Sequence, residues 1–511
     1  MSEILWTAFL SFPTHMPDSI QQNTQEAAII WRAIKPYLTF VFSVCVFLLA
    51  ILIVLENRNP SRTVAWLFIL NFQPIVGFIF YLLVGRNVRK RKLFSNKYIN
   101  NTEVLRNLGK QQTVLWEENE LWKYPDLTSK RRLMKLMVNV SQSPFTLNNK
   151  SEVLTNGSET FRQMIQDLSE AKNHIHFQFY TIRHDATGQQ FKQVLIDKAR
   201  EGLKVRVIYD WVGSISLDNR YIAELEEAGV EVVSFFPVIL PFLNNKVNYR
   251  NHRKIIVIDG KIGFVGGLNI GDEYLGKDTR FGFWRDSHIR IEGESVYLLQ
   301  NIFLKDWFFV TDETIKGEQY FPEFKEEAGK ELIQIASSGP DSDWESIWQM
   351  YFSIIATAQD KIYITSPYFI PDDSISMALK TAALSGLDVR ILLPSRPDHY
   401  TVFWASRSYI QELLEAGVRF FMYQPGFIHA KILLVDGTVA SIGTANMDIR
   451  SFQHNFEVNA ILYNTLSVYK LEEDFLLDLR DSKELTLEDF HSRPWYHRLF
   501  ESVARLLSPL L

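Results

Sequence analysis

A single cysteine, Cys45, in 511 residues excludes an internal disulfide framework and any cysteine-rich metal site. Positive charge is not in excess either. The 54 lysines and arginines are outnumbered by 59 aspartates and glutamates, which leaves −5 and no general basic surface for nucleic acid. Hydrophobic residues make up 47% of the chain and charged residues 22%, a globular balance that rules out wholesale disorder. Aromatics, at 14%, suit both a large core and a protein that meets lipid, so composition does not choose between these.

Charge is missing altogether from two stretches. Residues 38–55, LTFVFSVCVFLLAILIVL, would span ~27 Å as a helix at ~1.5 Å per residue, close to the hydrocarbon thickness of a bilayer. Residues 64–85, VAWLFILNFQPIVGFIFYLLVG, are equally uncharged, and the linker ENRNPSRT between the runs is too short for a domain. Together they predict a two-helix transmembrane hairpin; buried core helices are the alternative. Asn71, Gln73 and Pro74 are expected to face the first helix or a kink. Arg86, Arg89, Lys90, Arg91 and Lys92 follow the second run, and Arg32 and Lys35 precede the first. These cations place the downstream chain in the cytoplasm, although Arg58 and Arg62 in the hairpin loop pull the other way.

Beyond a charged connector at 94–140 the chain repeats itself. AKNHIHFQFY from Ala171 parallels AQDKIYITSPY from Ala358, and GLKVRVIYD from Gly202 parallels GLDVRILLP from Gly386. YIAELEEAGVEVV from Tyr221 parallels YIQELLEAGVRFF from Tyr409, each reading as helix, glycine turn and strand. The offset stays near 184–188 positions, which predicts two similar α/β halves at 141–330 and 331–490, with 491–511 as a C-terminal helix.

Each half ends in the same pattern, His-x-Lys-x4-Asp-x6-Gly-[Gly/Thr]-x-Asn. The first copy supplies His252, Lys254, Asp259, Gly266, Gly267 and Asn269; the second supplies His429, Lys431, Asp436, Gly443, Thr444 and Asn446. On a strand, residues i and i+2 share a face, so each histidine points with its lysine. An imidazole beside an ammonium, with an asparagine donor nearby, suits a tetrahedral phosphate. Asp259 and Asp436 belong to the pattern and are carried in the candidate catalytic set. Their opposite parity, seven positions after the histidine, fits a structural role better. A lone copy would read as surface decoration; two at identical spacing inside a duplication do not.

The paired patterns resemble the HKD motifs of the phospholipase D superfamily, over roughly residues 150–490. The resemblance implies two phospholipase D-like halves packed about a pseudo-twofold axis, with both motifs in one site. One histidine would attack phosphorus to give a phosphohistidine, and the other would protonate the leaving alcohol and then activate the acceptor. The residues leave open which is the nucleophile; analogy favours His252. The family also has an acid orienting each imidazole, and the matching positions are Asp286 in FWRDSHIRIEG and Glu457 in HNFEVNAIL, with ordinary salt-bridge carboxylates as the alternative. Both imidazoles are expected near their unperturbed pKa of ~6.5, and the pH profile is expected to be bell-shaped. No metal or other cofactor is implied. His174-x-His176 could set two imidazoles on one face but lacks a third ligand, so it reads as core or site lining.

Three features narrow the resemblance to the bacterial phospholipase D-type cardiolipin synthases. These are the N-terminal hairpin with ENRNPSRTVAW, the segments GGLNIGDEYLG and GTANMDIRSFQHNFEVN after the motifs, and the C-terminal RPWYHRLFESVARLLSPLL. In the last of these, Trp495, Leu499, Val503 and Leu506 fall at helical spacing beside Arg493, Arg498 and Arg505. It reads either as an interfacial helix or as one docked on its own domain. The implied reaction joins two phosphatidylglycerol molecules into cardiolipin and glycerol, with membrane lipid as partner and no nucleic acid. The apolar stretch SFFPVILPFLNN at 234–245 is either an acyl-chain approach or a buried strand and loop. Hydrolysis by the same intermediate, a membrane-tethered nuclease and a non-catalytic scaffold are the rival readings.

Overall fold

The computed structural model describes residues 18–56, 60–72, 77, 81, 130–237, 249–324 and 326–508. The basic cluster at 86–92, Arg58, Gln73, Pro74, most of the connector and residues 238–245 lie outside this set.

Residues 1–88 form one unit. Helix α1 (Asp18–Glu56) contains the apolar run, and its Trp31–Leu55 segment is the one described helix long and apolar enough to cross a membrane. Helix α2 (Pro60–Phe72) packs on α1 around Ile53, Leu70 and Tyr81, with the Trp66 and Tyr81 rings edge to face at 5.4 Å. Asn71, expected against the first helix or at a kink, is instead exposed in the last turn of α2.

The second unit runs from residue 89 onward. It begins with α3 (Arg131–Ser141), β1 (Asn149–Thr155), α4 (Asn156–Glu170), β2 (His174–Phe179), α5 (Ala186–Arg200), β3 (Lys204–Asp210) and α6 (Asn219–Glu227). There follow β4 (Glu231–Phe235), β5 (Arg250–Asn251), β6 (Ile255–Ile258), β7 (Ile262–Gly266), β8 (Phe283–Arg285), β9 (Ser287–Gly293) and α7 (Val296–Thr311). The chain then repeats the theme with β10 (Leu332–Ser338), α8 (Ser346–Ala356), β11 (Lys361–Thr365), β12 (Phe369–Ile370), α9 (Asp373–Leu384), β13 (Asp388–Pro394), α10 (Tyr400–Glu415) and β14 (Arg419–Tyr423). It closes with β15 (Gly426–Ile428), β16 (Ile432–Val435), β17 (Val439–Gly443), β18 (Met447–Asp448), α11 (Ile449–Gln453), β19 (Asn455–Tyr463), α12 (Leu466–Arg480), β20 (Ser482–Leu485), α13 (Leu487–His491) and α14 (Trp495–Leu506).

Two mixed sheets result. The first has the order β1-β9-β7-β6-β2-β3-β4, and the second β10-β19-β17-β16-β11-β13-β14-β20. The seven positions of the first match the first seven of the second, so the repeat read in the sequence is a repeat of topology. In each, the strands joined through helices are parallel, as β2, β3 and β4 are, whereas the motif hairpin β6–β7 or β16–β17 runs antiparallel.

The motif strands IIVI and ILLV are apolar throughout because both faces are covered. Ile255 and Val257 join a core shared with Ile432, Leu434, Ile442 and Val458 of the other half, while Ile256 and Ile258 pack with the helices of their own half. The sheets thus meet face to face, β7 and β9 against β17 and β19. Helix α3, expected as part of a connector, belongs to the second half's core: Leu133, Met134 and Met137 are buried with Ile347, Met350 and Ile354.

Candidate active site

Two short strands cross between the halves. β5 adds in parallel to the start of β19, pairing Arg250 with Asn455 and Asn251 with Phe456. Reciprocally, β15 pairs with β8, setting Ile428 opposite Arg285. Each strand ends one residue before a motif histidine. The His252 N–H donates to the Phe456 carbonyl (2.9 Å), and the His429 N–H donates to the Arg285 carbonyl (2.7 Å). In both cases the residue after that carbonyl is a carboxylate.

The consequence is an exchange of acids. His252 Nδ1 lies 3.0 Å from Glu457 of the second half, and His429 Nδ1 lies 2.8 Å from Oδ2 of Asp286 in the first. With both acids fully buried and ionised, each Nδ1 donates its proton to the carboxylate, and the lone pair of a neutral imidazole is left on Nε2. The acids are themselves held. Asp286 accepts the Ser287 N–H (2.8 Å), and Glu457 accepts Asn455 Nδ2 (3.1 Å) and the Thr444 hydroxyl. Thr444 stands where the first motif has Gly267, and there a Cβ would come within 2.0 Å of Asp286 Oδ1.

Lys254 and Lys431 lie in the same enclosure. Each ammonium donates back to the carbonyl of its own histidine, at 2.9 Å for Lys254, and neither is more than 2% exposed. Burial, reinforced for Lys254 by the Lys431 charge, lowers Lys254 to about 7; burial lowers Lys431 to about 8. Burial also pushes His252 down to about 4 and His429 to about 3, with the lysine charges opposing the pull of Glu457 and Asp286. The imidazoles are therefore not near 6.5, as the sequence led us to expect: without substrate both are neutral. Burial would raise Asp286, yet His429 and Lys431 hold it at about 2, and His252 and Lys254 likewise keep Glu457 low.

Asp259 and Asp436 are not brought to the imidazoles. Each opens a tight turn at the far end of its motif strand, with φ of 54° and 55°, followed by Gly260 and Gly437 also at positive φ, the Asp-Gly geometry of a type I′ hairpin. The Asp259 carboxylate accepts the N–H groups of Lys172, Asn173 and His174, and that of Asp436 accepts those of Gln359, Asp360 and Lys361 together with the Lys130 ammonium. Their inclusion in the catalytic set is corrected accordingly: they fix the hairpin to the neighbouring strand. Asn269 accepts the Thr181 N–H (3.1 Å) and donates to the Tyr274 hydroxyl. Asn446 is buried with its Oδ1 unpartnered among the described residues. His174 and His176 are core histidines sharing Gln300, and burial keeps both neutral.

Tyr180 and Trp284 were not singled out by sequence. The Tyr180 ring stands edge-on to His252 at 5.0 Å with the Lys254 ammonium 5.7 Å from its centroid, and Trp284 lies 5.2 Å from His429. Tyr180 had a signal, because it and Tyr368 close the first pair of repeated segments.

Among known proteins, the family model "Cardiolipin synthase, PLD-like domain" matches residues 164–307 and 351–479, one stretch in each half. A phospholipase D-nuclease N-terminal model matches residues 44–86. A cardiolipin synthase of Geobacillus kaustophilus is 51% identical over 472 residues, 92% of this chain and 93% of that one. Cardiolipin synthase 2 of Bacillus anthracis is 48% identical over 92% of this chain and 91% of its own. In fold, the crystal structure of a Haemophilus influenzae phosphatidylserine synthase superposes with a TM-score of 0.56 at 16% identity, covering 74% of this chain and all of that one. With both halves matched and about half of all residues shared with these relatives, the chain belongs to the cardiolipin synthase family of phospholipase D-like proteins.

Proposed function

We propose that the protein transfers a phosphatidyl group from one phosphatidylglycerol to the glycerol hydroxyl of another, giving cardiolipin and free glycerol. The observation that carries this reading is the pair of carboxylate-anchored imidazoles, each with no Nε2 partner among the described residues, beside two buried lysines. His252 attacks phosphorus through Nε2 as the bond to the leaving glycerol oxygen breaks, and that oxygen takes a proton from His429. The acceptor hydroxyl then gives its proton to the neutral His429 as its oxygen attacks phosphorus and His252 departs. Lys254 and Lys431 neutralise the non-bridging oxygens, with Asn446 as a further donor. The arriving phosphate anion raises the proton affinity of the imidazoles, which supplies the protonated partner.

The uncharged run at 64–85 and the five cations at 86–92 support a second span and a cytoplasmic catalytic part. Net charge of −5 supports a lipid rather than a nucleic acid substrate.

The test is the purified protein in phosphatidylglycerol vesicles with EDTA and no nucleotide, followed by measurement of cardiolipin, phosphatidic acid and glycerol. Cardiolipin with matching glycerol is the expected result. Phosphatidic acid with glycerol would make the protein a phospholipase, and no product at all would rule out this lipid donor.

A further inference from the structure

Amphipathic helices of soluble domains bury the apolar face and expose the polar one. Helix α14 does the reverse. It docks on α10 through Glu501 and Ala504, both buried; Glu501 accepts from Arg407 and Arg493, and Arg505 reaches Glu412 and the Ser408 carbonyl. The opposite face carries Trp495 (75% exposed), Leu499, Val503 and Leu506 (80% exposed), flanked by Tyr496 and Phe500, which are also exposed. Among the described residues, Trp495, Leu499, Val503 and Leu506 join no hydrophobic core cluster, and a contiguous patch of this kind marks an interaction surface.

We infer that the outward face of α14 lies in the interfacial layer of an anionic lipid bilayer. Charge selects this occupant over a second copy of the chain. The helix has a single acid, Glu501, which is turned inward and ion-paired, while Arg498 is exposed at the edge of the apolar face. A cationic edge on a chain of net charge −5 fits acidic headgroups, with tryptophan and tyrosine at the level where such rings settle.

The position of the helix gives the contact a use. Its partner α10 sets the Trp404 ring in tilted contact with those of His497 and Phe500, at 4.9 and 5.6 Å. One turn earlier, Tyr400 is 74% exposed, and Phe403 lines a crevice with Tyr368 and Asp398. The Tyr368 hydroxyl bonds Asp398, whose charge reaches Lys431. The helix is therefore joined through α10 to the crevice whose Asp398 charge reaches Lys431. This contact does not depend on which lipid reaction follows.

The experiment uses the full chain in phosphatidylglycerol vesicles, with Cys45→Ser as background and single cysteines introduced as Leu499→Cys, Val503→Cys or Glu170→Cys. Each is labelled with an environment-sensitive fluorophore and challenged with a nitroxide on a lipid acyl chain or in the aqueous phase. Labels at 499 and 503 are expected to be quenched by the lipid nitroxide and shielded from the aqueous one, with the reverse at 170. Adding Leu506→Glu with Trp495→Glu should abolish lipid quenching at 503. Aqueous quenching at 499 and 503 would overturn the inference. So would shielding from both quenchers with cross-linking of Val503→Cys between copies, which would assign the face to a second molecule. Because quenching needs no turnover, vesicles without cardiolipin formation but with lipid quenching would sink the proposed reaction and leave this surface standing.

Discussion

At the scale of single residues, the site is a buried anion receptor whose cations are held short of full protonation. Burial lowers Lys254 to about 7 and Lys431 to about 8, so neither is held fully protonated near neutral pH. A phosphate between them raises both, because the anion favours the charged form. Binding of inorganic phosphate at pH 7.5 is therefore expected to take up protons, and the uptake should shrink in Lys254→Met. Calorimetry in buffers of different ionisation enthalpy reads this directly; binding with no proton uptake in the native protein would contradict it. The same lowered lysines place the alkaline limb of kcat/KM near 7 to 8 rather than at the ordinary lysine value. Gly267 offers a second test. A methyl there meets the Asp286 carboxylate rather than backbone, so the acid swings off His429. Gly267→Ala should cost about tenfold or more in turnover, as loss of an orienting acid does. Its effect on stability, read from thermal melting, should stay within about 1–3 kcal/mol.

At the scale of elements, the motif hairpins were legible and the crossing strands were not. A four-residue apolar strand, an Asp-Gly pair and a second strand are visible in IIVIDGKIGFVG and ILLVDGTVASIG, and the parity of Asp259 and Asp436 already favoured a structural role, which the structure makes a turn. β5 has two residues and β8 and β15 have three, too few for any periodicity, and their pairing partners lie more than 140 positions away. Hence the residues His252, His429, Asp286 and Glu457 could be read, but not that each acid serves the other half's histidine. The pKa values were misjudged for a related reason: burial of a strand end depends on what packs over it, and the sequence does not show the second sheet. Gly426→Ala tests the crossing strand. Its Cβ would sit 2.0 Å from the Phe283 carbonyl oxygen, a backbone atom that no rotamer can clear, so β15 must part from β8. In contrast to Gly267→Ala, the expected outcome is a lowered melting midpoint together with lost activity, with a cost of about 3 kcal/mol or more.

At the scale of the whole molecule, duplication is what makes a two-histidine site possible. Neither half holds a complete imidazole–carboxylate pair, because each supplies a histidine to the other's acid. The halves are locked accordingly. Arg285 reaches from the first half to Asp474 and Asp478 on α12, and Arg253 donates to the Glu457 and Ser338 carbonyls while pairing with Asp306. These buried guanidiniums and the shared core make separation of the halves within one chain costly. One site is thus built from one chain, and this separates two outcomes. His252→Ala and His429→Ala should each remove nearly all cardiolipin formation, since the two groups act as a unit. Mixing the two variants, or co-expressing them, should restore nothing, because each chain lacks one imidazole of its only pair. Recovery toward a quarter of native activity would mean instead that halves exchange between copies, so that one site in a mixed pair regains both histidines. The assay is the same vesicle measurement of cardiolipin, run on the variants singly and together at equal total protein.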